Sequence, residues 1–121
     1  MLPLASATTE TVVPANLIAG HAPEIATENG TLITGQNLAN FTVLGRITAS
    51  KKLTKCDPAA ADGSQTAVGI LVHAMDATSA DKAVQFYKAG NFFADALVWH
   101  AGFDSAAKKL AAFDGTAIVI R

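Results

Sequence analysis

The sequence predicts a mainly β fold with short helices, in which a compact domain follows an extended N-terminal arm. Half of the 121 residues are hydrophobic, and turn signals separate short runs that are rich in β-branched residues. Every phenylalanine, tyrosine and tryptophan lies from Phe41 onward, and Arg46 is the only lysine or arginine before Lys51. Because residues 1–30 contain nothing large enough to anchor a core, we expect the arm to span 1–30 and the domain to span 31–121.

The arm is expected to be extended. Its β-branched residues from Thr8 to Val13 favour extended backbone, and its prolines remove N–H donors that a helix would use. It cannot bury enough apolar surface to offset about 1–2 kcal/mol of backbone entropy per ordered residue. We therefore expect the arm to be mobile in the free protein and to become ordered against a partner. Residues 1–20 lack the basic start and the continuous apolar block of a secretory signal.

The first half of the domain is predicted to form strands. An Asn-Gly turn signal opens a strand over residues 31–34. Residues 41–48 alternate in side-chain character with a period of two, which predicts a second strand. Residues 67–75 are the best candidate for a central strand, and Gly69 within them indicates a bulge or a close backbone approach.

The second half of the domain adds two strands and a helix. Residues 84–88 alternate and predict a strand, and a Gly-Asn pair shortly after them predicts a tight reversal. An alanine-rich run over residues 105–112 predicts a short helix with Asp104 as its N-cap. The β-branched run over residues 116–120 predicts the closing strand.

The residues that could carry chemistry do not form a known catalytic or metal-binding motif. The three histidines are the acid–base candidates near neutral pH. His73 and Asp76 are three residues apart, which on a strand directs them to opposite faces, and His100 follows Trp99 at an expected strand end. HExxH, CxxC, GxSxG, phosphate-loop and dinucleotide-binding patterns are absent from the sequence. We therefore predict no catalytic residue, no metal site and no cofactor, and hence no enzyme.

Charge and cysteine content restrict the partners. The net charge is −1, whereas phosphate binding needs clustered lysine and arginine, so we predict no nucleic-acid partner. The small groups of lysines near Lys51 and Lys108 are typical of solvated surfaces. No apolar stretch reaches the roughly 18 to 20 residues that cross a bilayer, so no membrane partner is predicted. The single cysteine, Cys56, fits a reducing compartment and a half-buried apolar position.

Several motifs, in a fixed order, carry a resemblance to a known family. They are AVGIL at 67–71, FYKAG at 86–90, DALVW at 95–99, the lysine pair at 108–109 and AFDGTAI at 112–118. In this order they resemble the head decoration protein D family of lambda-like tailed phages, and the Lys52-Leu53 pair upstream is similar as well. The resemblance covers about residues 30–121, and the arm is not aligned residue by residue.

The resemblance implies a structural protein without catalysis. Members of this family form homotrimers at threefold sites on the outer face of an expanded icosahedral head. They clamp neighbouring major capsid subunits and help the shell resist the pressure of packaged DNA. The implied fold is a β-clip-like domain, and the implied arm orders on the capsid. The implied location is the outer surface of the virion after synthesis in the host cytoplasm, with no nucleic acid, membrane or small-molecule substrate as partner.

Two sets of residues are candidates for contacts. We expect strand addition of the arm to a sheet edge of the major capsid protein, with apolar sites filled by Val12, Val13, Leu17 and Ile18. We expect core packing or trimer contacts from Phe86, Tyr87, Trp99 and Phe113. The sequence leaves open whether Trp99 is in the core or at a subunit interface.

Two other functions remain alternatives at this point. The first is a surface-exposed β domain that recognises a host ligand, a role that exposure on a virion would permit. The second is a small hydrolase that uses His73 or His100. Neither alternative has a motif of its own in the sequence.

Overall fold

The computed structural model describes residues 24–121 of the chain. Within that part the chain is mainly β, which confirms the predicted class, and it has one short α-helix, α1 (Ala106–Ala111), and a 3₁₀ turn (Ala94–Ala96). The strands are β1 (Ala26–Leu32), β2 (Asn37–Leu38), β3 (Val43–Arg46), β4 (Leu53–Lys55), β5 (Ala67–Leu71), β6 (Met75–Asp76), β7 (Lys82–Phe92) and β8 (Ala117–Ile120).

The main sheet closes on itself. Its strand order is β1-β4-β3-β5-β7-β8, and β1 also pairs with β7. The pairings are antiparallel except for β1 with β4 and β7 with β8. Five strands therefore form a ring, and β8 pairs with the last part of β7 beside it. β2 and β6 form a separate antiparallel pair. Closure gives each strand of the ring two neighbours, which protects strand edges from unwanted pairing.

β7 is the longest strand and contacts three others. It pairs with β1 on one edge, and with β5 and then β8 on the other. The tight reversal predicted at Gly90 is wrong, because residues 89–92 continue the strand beside β8. Gly90 has a positive φ of 146°, and a Cβ at this position would lie 2.7 Å from the Phe92 ring. The positive φ of Gly90 therefore belongs to an irregular strand and not to a turn.

The Asn-Gly pair at 29–30 also lies inside a strand. Asn29 pairs with Gln85 and Gly30 pairs with Val84, so the predicted turn at this position is wrong. A Cβ on Gly30 would lie 2.8 Å from Leu53 Cδ1. The pairing with β7 satisfies the backbone of this segment, and the missing side chain allows β1 to approach β4 closely.

The strand predicted over residues 41–48 is shorter in the structure, because β3 covers Val43–Arg46. It is buried on both faces, since Val43 and Leu44 belong to different core clusters. Phe41 precedes the strand with a positive φ of 66°.

The central strand predicted over residues 67–75 is shorter in the structure, where β5 ends at Leu71. Met75 and Asp76 form the separate strand β6. The close approach expected at Gly69 is confirmed, because a Cβ there would lie 2.3 Å from the Phe86 ring and 2.7 Å from Tyr87 O. The register between β3 and β5 also shifts beside Gly69, between Leu44 and Gly45.

Two clusters of buried side chains lie on the two faces of the sheet. The first contains Leu32, Leu38, Leu44, Leu53, Leu71, Ala77, Val84 and Phe86. The second contains Val43, Cys56, Ala67, Ile70, Leu97, Phe103, Phe113 and Ile118.

The predicted helix is confirmed, but its N-cap is different. Ser105 is the N-cap, and its hydroxyl accepts a hydrogen bond from the Lys108 N–H at 3.3 Å. Asp104, the predicted cap, instead pairs with Lys108 Nζ at 2.9 Å. The hydroxyl at 105 satisfies a first-turn amide that the carboxylate at 104 leaves unbonded. The predicted closing strand is confirmed as β8.

Candidate interaction surface

The N-terminal segment joins the domain beside the end of β7. The expected arm contacts Val12, Val13, Leu17 and Ile18 lie outside the described residues, as does His21. Ala26 begins β1 and pairs with Ala89, so residues 26–30 of the expected arm belong to the sheet. Ile25 precedes this pair and is 65% exposed. The attachment point of residues 1–23 is therefore held by the sheet itself.

The four aromatic residues expected in core or trimer contacts lie at different depths. Phe86 is buried in the first cluster and Phe113 in the second, each with 2% exposure. Tyr87 and Trp99 are half-buried and pack against the second cluster. The Tyr87 and Phe92 ring centroids are 5.2 Å apart. The two half-buried rings have accessible surface in addition to their core contacts.

Trp99 packs against two aromatic rings and donates one hydrogen bond. Its ring centroid lies 5.1 Å from that of Phe103 and 6.3 Å from that of Phe113, both with edge-on geometry. Its Nε1–H donates to Ala94 O at 2.9 Å. Lys109 Nζ lies 6.0 Å from the ring centroid, within the range of a cation–π contact. These contacts fix the orientation of the indole within the domain.

Several large apolar side chains are exposed on the surface of the domain. Among the described residues, six large apolar side chains are exposed. Phe41 and Val98 are adjacent, since the Val98 N–H donates to Phe41 O at 2.9 Å. The other four are Ile25 just before β1, Phe93 directly after β7, Leu110 on α1 and Val119 in β8.

Several charged side chains form ion pairs within the domain. Lys52 Nζ lies 2.6 Å from Asp81 Oδ2, and the backbone N–H of Thr34 donates to Asp81 Oδ1 at 2.8 Å. These donors lower the pKa of Asp81 to about 2. Lys108 pairs with Asp104, and this pairing lowers the pKa of the Asp104 carboxyl. Asp81 therefore connects Lys52 and Thr34, which are distant from it in the chain, whereas the pair of Lys108 with Asp104 is local to the start of α1.

Among the described residues, the two histidines, His73 and His100, have no partner in common. His73 is exposed, and Asp76 accepts hydrogen bonds from the Thr78 hydroxyl and backbone N–H, which lower the pKa of its carboxyl. His100 Nε2 lies 3.7 Å from Asp57 Oδ2, a pairing that the sequence analysis missed because the two residues are distant in the chain. Among residues 24–121, no group of three or more histidine, cysteine, aspartate or glutamate side chains could hold a metal ion.

Cys56 is part of the core. It has 0% exposure, and its Sγ lies 3.6 Å from Gln65 O. Burial, together with the nearby charge of Asp57, raises the pKa of the thiol to about 11. The thiol is therefore protonated near neutral pH and packs as a small apolar group.

The comparisons with known proteins concern nearly the whole chain. A family model described as "Bacteriophage lambda head decoration protein D" matches residues 7–120. The match begins at residue 7, so it includes most of the N-terminal segment that the motif resemblance did not cover. No curated protein matches the chain. In residues 24–121, no helix has the length and apolar character needed to cross a membrane.

Proposed function

Since the chain belongs to the bacteriophage lambda head decoration protein D family, we propose that it binds as a homotrimer at threefold sites on the outside of expanded phage heads. There it clamps neighbouring major capsid subunits and stabilises the shell against the pressure of packaged DNA. The family match over residues 7–120 carries this proposal. The family is one of structural capsid decoration proteins, so the role in the virion is not catalytic.

The N-terminal arm supplies the main contact in this proposal. Its β-branched sequence suits addition to an exposed sheet edge of the major capsid protein, where main-chain hydrogen bonds provide affinity. The apolar contacts are those of Val12, Val13, Leu17 and Ile18. Ordering the arm costs conformational entropy, so a single arm binds weakly.

Trimer formation overcomes the weakness of one arm. Three arms on one trimer meet three equivalent sites around a threefold axis, so the second and third arms bind at high effective concentration. Firm attachment of each arm supports this mechanism, because β1 is paired with β7 from Ala26 to Leu32. Tension on a bound arm is therefore transferred to the longest strand of the sheet.

Deletion of residues 1–20 tests the arm mechanism. The truncated protein should remain a trimer, but its occupancy on expanded, undecorated heads should fall about 100-fold or more, because all three arm contacts are lost together. Native mass spectrometry measures the trimer, and quantitative gel analysis of purified heads measures occupancy. Undiminished occupancy would contradict the arm mechanism while leaving the family assignment intact.

Two full-length variants test whether the apolar side chains of the arm contribute to head binding while the length of the arm stays the same. Val12→Asn with Val13→Asn should weaken head binding, because polar groups replace the apolar contacts. Ala5→Asn with Ala7→Asn is the matched control in the same arm and should bind as the unmodified protein does. Equal binding by both variants would show that Val12 and Val13 do not make these contacts.

A further inference from the structure

The loop between β3 and β4 holds a lysine in a backbone conformation that lysine rarely adopts. Lys51 has a positive φ of 64°, in the left-handed region that favours glycine and asparagine. The loop is fixed, because the Lys51 N–H donates to Ile47 O at 2.8 Å and the Ile47 N–H donates to Lys52 O at 2.9 Å. Lys51 is exposed, and no side chain in residues 24–121 pairs with its ammonium group. This charge is therefore available to a ligand.

Lys51 lines a groove between this loop and β1, which we call the basic groove. The groove has a volume of about 420 Å³, a size in which small ligands bind. Its lining contains no aliphatic or aromatic residue and consists of Glu28, Asn29, Gly30, Thr31, Arg46, Ser50, Lys51 and Lys52. Besides the charged groups it therefore offers hydroxyl and amide groups that can form hydrogen bonds with a polar ligand.

Positive charge exceeds negative charge around the basic groove. Glu28 is shared by two cations, because its carboxylate oxygens lie 3.5 Å from Lys88 Nζ and 3.7 Å from Arg46 Nη2. Lys52 has a carboxylate partner of its own at 2.6 Å, whereas Lys51 adds a cation without one. The groove is therefore locally positive in a chain whose net charge is −1.

The arginine of the groove is held in place by the sheet. Arg46 is the last residue of β3 and pairs with Leu53 of β4. Its Cζ lies 5.6 Å from the centroid of the Phe86 ring, within the range of a cation–π contact. The planar guanidinium group matches the two oxygens of a phosphate or carboxylate group. Arg46 therefore presents a preformed site for an oxyanion beside Lys51.

The basic groove and the arm are attached towards opposite ends of β1. Ala26 begins β1 beside the end of β7, where residues 1–23 enter the domain. Leu32 ends β1 and pairs with Leu53, the residue at which the loop of the groove enters β4. Six residues of strand separate Ala26 from Leu32, which is about 20 Å. A ligand in the groove therefore does not compete with the proposed arm contact.

We propose that the basic groove binds the oxyanion groups of an acidic carbohydrate, which are phosphate or carboxylate groups. The cations match these groups, and the hydroxyl and amide side chains match the sugar hydroxyls. The groove lacks the aromatic residues that are enriched in protein interfaces and that stack on single-stranded nucleic acid. This inference goes beyond the proposed function, in which a virion carries many copies and would hold an acidic cell-surface polysaccharide through many weak contacts.

The test measures binding of the full-length protein to three immobilised polysaccharides at neutral pH and low salt. These are dextran phosphate, carboxymethyl-dextran and unmodified dextran, and biolayer interferometry measures the affinity for each. A chain with net charge −1 is not attracted to a polyanion as a whole, so binding to a charged dextran reports a local site. We expect binding to a charged form that weakens with added salt, and no binding to unmodified dextran. Binding to one charged form alone would identify the oxyanion.

Three variants assign this binding to the groove. Lys51→Asn should lower the affinity about ten-fold or more, because each copy loses a charge-assisted contact. Asparagine tolerates a positive φ, so the thermal midpoint should not fall. Lys51→Arg keeps the charge and should bind as the unmodified protein does. Lys108→Gln is the matched control, because it removes the same charge from α1, which does not line the groove.

Four outcomes would overturn the inference. The first is no binding of the unmodified protein to either charged dextran. The second is an equal loss of affinity in Lys108→Gln, which would show an effect of net charge alone. The third is tighter binding to a DNA duplex than to dextran phosphate at equal salt, which would assign the groove to nucleic acid. The fourth is reduced occupancy of Lys51→Asn on expanded heads, which would assign it to the shell. The dextran measurements use no heads, so their failure is distinct from a failure of the proposed function.

Discussion

At the residue scale, close packing rather than turn chemistry explains several glycines of this domain. Gly69 lies between β3 and β7, where a Cβ would lie 2.3 Å from the Phe86 ring and 2.7 Å from Tyr87 O. Gly30 is also in a strand, but the atom nearest to its missing Cβ is Leu53 Cδ1, the end of a flexible side chain. Because backbone cannot move aside as a side-chain end can, the two positions should differ in their tolerance of alanine.

Gly69→Ala should therefore lower the free energy of unfolding by about 1–3 kcal/mol, because the methyl group forces β5 away from β7. Urea unfolding followed by tryptophan fluorescence of Trp99 measures the change. Gly30→Ala is the matched control and should cost less, since Leu53 can rotate. A larger cost for Gly30→Ala than for Gly69→Ala would show that the approach of β1 to β4 is the tighter one.

At the scale of the element, α1 depends on its cap because it is short and exposed. The helix has six residues and none of them is buried, so tertiary packing of its side chains contributes little. Isolated helices of this length are unstable in water. The Ser105 hydroxyl and the Asp104–Lys108 ion pair are the interactions that the structure shows at its start. A capping hydrogen bond usually contributes more than an exposed ion pair.

Ser105→Ala should destabilise the domain by about 1 kcal/mol, whereas Asp104→Ala should cost less than about 0.5 kcal/mol. Thermal unfolding by circular dichroism at low and at high salt measures both changes. The cost of Asp104→Ala should shrink at high salt because ions screen the pair with Lys108. The reverse order of the two costs would show that the carboxylate at 104 is the effective cap.

At the scale of the whole molecule, the pairing of β1 with β7 closes the ring. β1 joins β4 through Leu32 and Leu53, and it runs beside β7 from Ala26 to Leu32. Residues 26–30 therefore belong to the sheet, although they were expected in the arm. The division of the chain into a capsid-binding arm and a decoration domain stays a prediction, and its boundary can be measured by truncation.

Deletion of residues 1–30 should lower the free energy of unfolding by at least about 2 kcal/mol, because it removes most of β1 and exposes one edge of β7. Deletion of residues 1–23 leaves β1 intact and is the control. We expect this shorter deletion to keep the thermal midpoint of the full chain. Equal midpoints for the two deletions would show that the ring does not need β1 for its stability.

The resemblance at the sequence level is confirmed at the family level, and the reason lies in particular residues. The AVGIL and FYKAG motifs supply β5 and the middle of β7, where a glycine and a phenylalanine pack against each other. Close packing of this kind restricts which residues fit at these positions. Short motifs in a fixed order therefore carry information about the family. The contacts expected of Val12 and Ile18 in the arm involve a partner protein, and they remain predictions.

The mainly β class, the helix near residue 106, the closing strand and the family could be predicted from the sequence, because they depend on local periodicity and on motifs of adjacent residues. In contrast, Asn29-Gly30 and Gly90-Asn91 lie in strands and not in turns, because long-range pairing with β7 and β8 satisfies their backbone. These pairings follow from strand order, which adjacent residues do not encode.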